Sequence, residues 1–250
     1  ARPPVRPPRT APRQVDVMYD DDDFVALWET LRAELPERAA AAFITATLPP
    51  RVRDEIKRQF PLVEERLGKG LHRTYAGVRE RLVDCPSAEG GDGLALKTSA
   101  LLRELADGED ALVFCNTIES CRRVENALRR AAPSLGGASV GAYHGAIAAD
   151  ARRANLAAFA APKHADGAPR YLVCTDRASR GMDFPDIRHV VLYDFPRDGV
   201  EYLRRVGRVT RGGRAPGRVT SLVLGRQLTY ARALMKIDER GEQIDLEVHG

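Results

Sequence analysis

The 250-residue sequence has only four cysteines, Cys85, Cys115, Cys121 and Cys174, and none of them stands in a CxxC pair or near a histidine pair. Their wide spacing and apolar surroundings argue against a zinc site or a disulfide framework and point to reduced core thiols in an intracellular compartment. Long apolar runs are also missing. No stretch approaches the roughly 20 residues that span a bilayer, and no signal-peptide core precedes a cleavage site, so a soluble chain with no membrane partner is expected. Acid is absent from residues 1 to 14, where Pro3, Pro4, Pro7, Pro8 and Pro12 are interspersed with Arg2, Arg6, Arg9 and Arg13. Such a composition cannot build a packed core, so 1–15 is expected to be a disordered basic tail. It reads as an arm for phosphates, as the remnant of an organelle transit sequence (chloroplast or mitochondrion), or as a solvated tail.

At 250 residues and 44% hydrophobic, the chain can bury one substantial core, and its length predicts one full domain and part of another. Lys and Arg number 39 against 35 Asp and Glu, a formal charge of +4, which is mild. Any argument for a polyanionic partner therefore rests on how the charge is distributed. Phe24, Leu27, Trp28 and Leu31 have helical spacing, and the acidic run 20–23 before them suits a helix N-terminus better than a metal. A short buried strand is predicted at 42–45, a helix opening on prolines at 49–60, and a largely extended stretch at 71–83. Residues 86–93, rich in Gly with Pro, Ser and Asp, read as a linker.

Beyond it, helices at 94–105, 118–130, 150–159, 200–206 and 228–240 alternate with strands at 111–115, 139–143, 171–175, 189–193 and 218–224. That order predicts an α/β fold, a mostly parallel sheet with helices on both faces, preceded by a partial α/β segment. Apolar runs such as 111–114 and 190–192 fit strands buried on both sides. Ligands of such sheets sit at the carboxyl ends of the strands, which directs attention to Asn116 and Thr117, His144 and Gly145, 175–183 and 194–211. The expected organisation is a tail at 1–15, a partial domain at 16–70, a full domain at 71–240 and a tail at 241–250.

Four arginines, Arg204, Arg205, Arg208 and Arg211, crowd one predicted helix and the turn leaving it. Guanidiniums so close repel unless an anion neutralises them, and their planar donor forks suit phosphate oxygens. Arg208 and Arg211, three apart, project to one side and could grip one phosphoryl group. The competing reading is a solvated basic face. The stretch TDRASRGMD at 175–183 follows a buried strand with hydroxyls, backbone N–H groups and two carboxylates, which suits a phosphate and a sugar hydroxyl. Its plainer reading, strand termination with Asp176 capping a helix, accounts for Thr175 and Asp176 and leaves Arg180 and Asp183 unexplained. His144 with Gly145, followed by Arg152, is a weaker signal, since a lone strand-end histidine is more often structural.

These stretches together, in order and at their spacing, resemble the DEAD-box RNA helicases over roughly residues 40 to 225. LVFCNT at 112–117 resembles motif IV of that family; His144, Gly145 and Arg152 the segment after it; 175–183 motif V; RRVGRVTR at 204–211 motif VI. Thr45, Ala46 and Thr47 resemble motif III, which ends the first RecA-like domain. The resemblance implies a RecA-like fold for the larger domain. It implies that Arg208 and Arg211 act as catalytic arginine fingers on ATP, that Asp183 meets the ribose, and that Arg180 and Gly181 also lie at the nucleotide. Asn116, Thr117, His144, Gly145, Arg152, Thr175, Asp176, Gly181 and Arg205 would lie along an RNA backbone, with Thr45, Ala46, Thr47 and Arg204 coupling the domains. ATP with Mg²⁺, held mainly by a first domain, and RNA are the implied ligands, with protein cofactors of RNA processing or ribosome assembly as further partners.

The sequence also departs from that family. It contains no GxxxxGKS/T loop to cradle the α and β phosphates, and of the DEAD sequence at most Asp16 remains. The expectation is a truncated helicase that does not hydrolyse ATP alone; the alternative is a non-catalytic RNA-binding or scaffold protein. Arg204 replaces the usual histidine of motif VI, Val209 a small or hydroxyl residue, Thr210 a glycine, and Ala149 a glutamine.

Overall fold

The carboxyl ends of six parallel strands organise the larger part of this computed structural model, which describes residues 28, 30, 33, 34, 42–45, 47–68, 71–73, 78–85, 93–162, 167–176, 187–209, 217–240, 242–244 and 246. The chain divides into two units, Ala1–Leu71 and His72–Gly250.

In the first unit Trp28, Thr30, Ala33 and Glu34 are helical. Helix α1, Pro50–Gln59, has Pro50 in its first turn, where the missing N–H has no intrahelical role. Its buried Val52 and Ile56 pack with Phe43, Leu48, Phe60 and Val63. The strand expected at 42–45 is not formed. Phe43 turns onto Trp28 and Phe60, with ring centroids 5.9 and 5.1 Å away, while Ile44 is exposed. A strand needs a partner for its backbone, and among the described residues of this unit there is none.

The second unit runs β1 (Arg79–Cys85), α2 (Gly93–Glu104), β2 (Ala111–Cys115), α3 (Ile118–Ala131), β3 (Ser139–Tyr143), α4 (Ala149–Ala160), β4 (Arg170–Thr175), β5 (His189–Leu192), α5 (Gly199–Val206), β6 (Arg218–Leu224) and α6 (Leu228–Glu239). The sheet order is β1-β6-β5-β2-β4-β3, and every neighbouring pair is parallel. This is the α/β parallel architecture expected from the alternation, in keeping with the RecA-like fold that the resemblance implies. Extended chain was expected over 71–83, yet Leu71 and His72 form a turn and the strand begins at Arg79. His72 takes a left-handed φ of 56°, and its carbonyl accepts from Ile244 N.

Strand periodicity sorts the side chains into two cores. Leu112, Phe114, Leu172, Cys174, Val190 and Leu192 face α5 and α6 through Tyr202, Val206, Ala231 and Leu234. Ala111, Val113, Cys115, Tyr171, Val173 and Val191 face α2 and α3 through Leu101, Cys121, Val124 and Leu128. Burial of each Val, Leu or Phe side chain among them stabilises by about 1.5–3 kcal/mol, so both faces hold the sheet. Ile244 and Leu246, expected in a tail, are buried in the first of these cores. All four cysteines are buried and unbridged. The expected linker, 86–93, lies outside the described residues except for Gly93, the first residue of α2. Among the described residues no helix is long and apolar enough to cross a membrane.

Candidate functional site

Three adjacent strands end side by side, β5 at Leu192, β2 at Cys115 and β4 at Thr175, and each is followed within two residues by a polar side chain: Asp194, Asn116 and Asp176. Arg205 joins them. Its Nε donates to Asp176 Oδ1 at 2.8 Å, its Nη1 to the Asp194 carbonyl at 2.6 Å and its Nη2 to Asn116 Oδ1 at 2.7 Å. A second bond from Nη2 to Asp176 Oδ2 makes the carboxylate contact two-pronged, and Phe114 lies beneath the guanidinium. The side chain is only 1% exposed. Burial alone would lower its pKa, but Asp176 and then Glu201 outweigh that and raise it above the ordinary guanidinium value. Arg205 is therefore a fixed cation inside the site. The resemblance implied an RNA contact for Arg205; in this structure its donors face inward, and the anion that relieves the arginine crowding is Asp176.

Helix α5 delivers Arg205 because Asp198 caps it, accepting from Glu201 N at 2.8 Å while Glu201 Oε2 accepts from Arg197 N at 3.0 Å. Tyr202, Leu203 and Val206 bury its other contacts. The helix closes in a tight turn in which Gly207 N donates to Leu203 O, Arg208 N to Arg205 O and Val209 N to Val206 O. Val209 is anchored in the core, so half-buried Arg208 lies between two buried anchors, Arg205 and Val209. Its charge reaches Cys174 on β4. There burial holds the thiol well above its ordinary range, and the Arg205 and Arg208 charges pull the other way. Arg180, Gly181, Asp183, Arg211 and Ala46 lie outside the described residues.

Asn116 is also committed inward, with Nδ2 on Phe195 O at 3.0 Å. Thr117 caps α3, accepting from Ser120 N at 3.0 Å, and stays exposed. His144 is buried beneath exposed Gly145 at the end of β3, with Nδ1 lacking a hydrogen-bond partner. Burial, then the charge of Arg122, lowers its pKa, so at neutral pH it offers no charge to a phosphate. Arg152 leans on the Tyr143 ring, 6.0 Å from its centroid. Thr175 and Asp176 are half-buried at the end of β4, and Arg204 is half-buried on α5. In the first unit Thr45 Oγ1 donates to Thr47 O at 2.7 Å.

Residues 96–213 match the model of the helicase conserved C-terminal domain. Over 238 residues the chain is 37% identical to DEAD-box ATP-dependent RNA helicase 50 of Oryza sativa subsp. japonica, and the match covers 92% of this chain and 37% of that protein. The chain belongs to the DEAD-box RNA helicase family. Its identity to the Arabidopsis thaliana helicase 50 is 36%, covering 92% of this chain and 30% of the other. This DEAD-box chain thus spans about a third of the length of these relatives. Among solved structures, S. cerevisiae Dbp5 bound to RNA and ADP BeF3 has the same fold, with a TM-score of 0.70 and 23% identity over 90% of this chain and 56% of that one. E. coli DEAD-box protein SrmB, bound to regulator of ribonuclease activity A, matches at 27% identity and a TM-score of 0.51, over 68% of this chain and 91% of that one.

Two members of this DEAD-box site escape a reading by motif. Asp194 accepts from Lys97 Nζ at 2.9 Å, Asn116 N at 3.0 Å and Ser120 Oγ at 2.6 Å. Burial pushes its pKa up, but the Lys97 charge and these donors outweigh that and leave it below the usual carboxylate value. Lys97, on α2, is 4% exposed. Its signal was present in the sequence: it precedes Ala100 and Leu101 by three and four residues, on the stripe that a helix buries.

Proposed function

We propose that this chain forms the C-terminal RNA- and ATP-engaging part of an ATP-dependent RNA helicase that unwinds short duplexes locally. Arg208, with Arg211, acts on the transferring phosphoryl group of ATP as an arginine finger, and Asp183 and Arg180 serve the ribose and the closed domain arrangement. RNA follows the strand ends through Thr117, Gly145, Arg152 and Thr175. His144, Asn116 and Asp176 support that path from beneath, and Arg204, Thr45 and Thr47 couple it to domain closure. The observation that carries this reading is the buried clamp of Arg205 on three strand ends, which fixes the turn bearing Arg208 in a member of this family.

Mg²⁺ does not fit the described residues. Asp176 and Asp194 are engaged by Arg205 and Lys97, and no group of three or more His, Cys, Asp or Glu among the described residues could hold a metal. A first RecA-like domain would supply its ligands, and the chain alone, without a GxxxxGKS/T loop, is expected not to turn over ATP.

Two measurements test the proposal. Fluorescence anisotropy with labelled single-stranded RNAs of different sequence should give similar affinities that fall steeply with salt, since contacts to a phosphate backbone carry no base readout. In a chimera placing the chain after the first RecA-like domain of a DEAD-box relative, Arg208→Ala should lower RNA-stimulated ATP turnover by about 10³-fold or more with RNA affinity retained. A chain that binds no RNA, or a chimera indifferent to Arg208, overturns it.

A further inference from the structure

Beneath the arginine turn lies a polar group that none of the motifs contains. Lys97 enters from α2, its ammonium on Asp194 Oδ1 at 2.9 Å and 4.6 Å from the centroid of the Tyr193 ring. Thr98 Oγ1, one residue on, pairs with the Tyr193 hydroxyl at 3.1 Å. Asp194 Oδ2 collects Asn116 N and Ser120 Oγ, which fixes the end of β2 and the first turn of α3. The main chain of the same aspartate is held from both sides: its N–H donates to Phe114 O at 3.1 Å, and its carbonyl seats Arg205 Nη1 at 2.6 Å. Arg205 in turn passes its carbonyl to Arg208 N at 3.1 Å. Three hydrogen-bonded steps therefore connect a buried lysine on one face of the sheet to the turn at the other.

We propose that Lys97 is a positioning residue for Arg208: by compensating the Asp194 carboxylate it holds the Asp194 main chain where Arg205 docks, and so sets the turn that presents Arg208. This rests on the reading of Arg208 as the phosphoryl-contacting group. A carboxylate without its counter-ion in so enclosed a place draws in water or a proton. Either event loosens the Asp194 backbone and removes the seat of Nη1. The two ends of the relay lie 111 residues apart in sequence, joined because β5 and β2 are neighbours while α2 and α5 cover opposite faces. An arginine at 97 keeps the charge, whereas methionine keeps the stem and removes it.

The test uses hydrogen exchange of the Arg205 Nε–H proton, followed by ¹H–¹⁵N spectroscopy on the full chain, which needs neither ATP nor RNA. In Lys97→Met this proton should exchange at least about tenfold faster, while amides of β2 and β4 keep their protection, as a local opening requires. Lys97→Arg should restore most of the protection, and adding Asp194→Asn to Lys97→Met should recover part of it by removing the uncompensated charge. Acceleration of Arg205 and the strand amides together would make Lys97 an ordinary core residue and overturn the proposal, as would an Arg205 proton unmoved in Lys97→Met. Should Lys97→Met fail to fold, Lys97→Met/Asp194→Asn gives the answer: an Arg205 proton as protected as in the parent supports the Asp194 link, and an unprotected one removes it. Full turnover in the Arg208→Ala chimera would sink the arginine-finger reading instead and leave the exchange result standing.

Discussion

Arg205 and Asp176 form a two-pronged ion pair between the helix that carries the arginine cluster and the end of β4, 29 residues earlier in the chain. Arg205 is the largest side chain fully buried among the described residues, so its charge must be matched inside the protein. Arg205→Ala leaves Asn116 Oδ1, the Asp194 carbonyl and the Asp176 carboxylate without their shared donor. The expected loss is about 3 to 5 kcal/mol of unfolding free energy in urea denaturation. Arg205→Lys should recover only part of it, because an ammonium cannot reproduce the planar fork. A loss below about 1 kcal/mol for Arg205→Ala would show that the pair is not a structural tie.

Thr117 separates a folding role from a binding role. As the N-cap of α3 it should cost about 1 kcal/mol when replaced by alanine, read from thermal or urea unfolding. Thr117→Asp keeps a capping oxygen and places negative charge on the exposed face proposed for RNA. Stability near the parent value with weaker RNA binding in low salt is the expected result; unchanged affinity would remove Thr117 from the RNA path.

The fold was legible where one signal sufficed. Continuous apolar runs at 111–114 and 190–192 fit strands covered on both faces, and the helical segments that alternate with the strands leave a parallel sheet as the outcome. The run at 42–45 carries the same local signal and forms no strand among the described residues, because four apolar residues do not specify a pairing partner. The site was half legible. Motif spacing located Asn116, Asp176 and Arg205, but charge alone suggested a surface for Arg205. Its inward direction depends on three strand ends meeting, a property of sheet order that local sequence does not contain. Lys97 stands on the buried stripe of its helix, but Asp194 is 97 residues away, and nothing local pairs the two.

His189 should make stability depend on pH in a defined window. It is wholly buried, with Arg218 Nη2 2.8 Å from Nδ1 and Thr220 Oγ1 3.0 Å from Nε2. A guanidinium only donates, so Nδ1 accepts and the proton resides on Nε2. Burial, and then the Arg218 charge, lower the pKa to about 3. The unfolded chain, at about 6.5, binds this proton first, so the contribution is fully present above about pH 6.5 and is lost as pH falls toward 3. One proton gives a slope of about 1.4 kcal/mol per pH unit, hence roughly 2 kcal/mol lost between pH 6.5 and 5. His144, also lowered, adds in the same direction. His189→Asn, which can still accept from Arg218, should flatten the dependence by the His189 share; identical slopes in urea titrations would refute the assignment.

Gly217 and Val209 test how firmly the arginine turn is seated. A β-carbon at Gly217 would stand 2.0 Å from Val209 Cγ1, with the Arg188 carbonyl 3.4 Å away on another side. The Gly217 carbonyl also accepts from Arg79 N at 2.9 Å, so the backbone is held at the start of β6 and the valine must yield. Gly217→Ala should therefore cost about 1 to 3 kcal/mol, the usual penalty of overpacking a filled core. Val209 is 3% exposed and directly follows Arg208, so the displaced methyl group carries the arginine turn with it. Adding Val209→Ala removes the clashing methyl groups, and the double variant should be more stable than the sum of the single costs by at least about 1 kcal/mol. Additive costs would mean that the turn shifts freely to admit the new methyl group, and that Arg208 is not held in place by Val209.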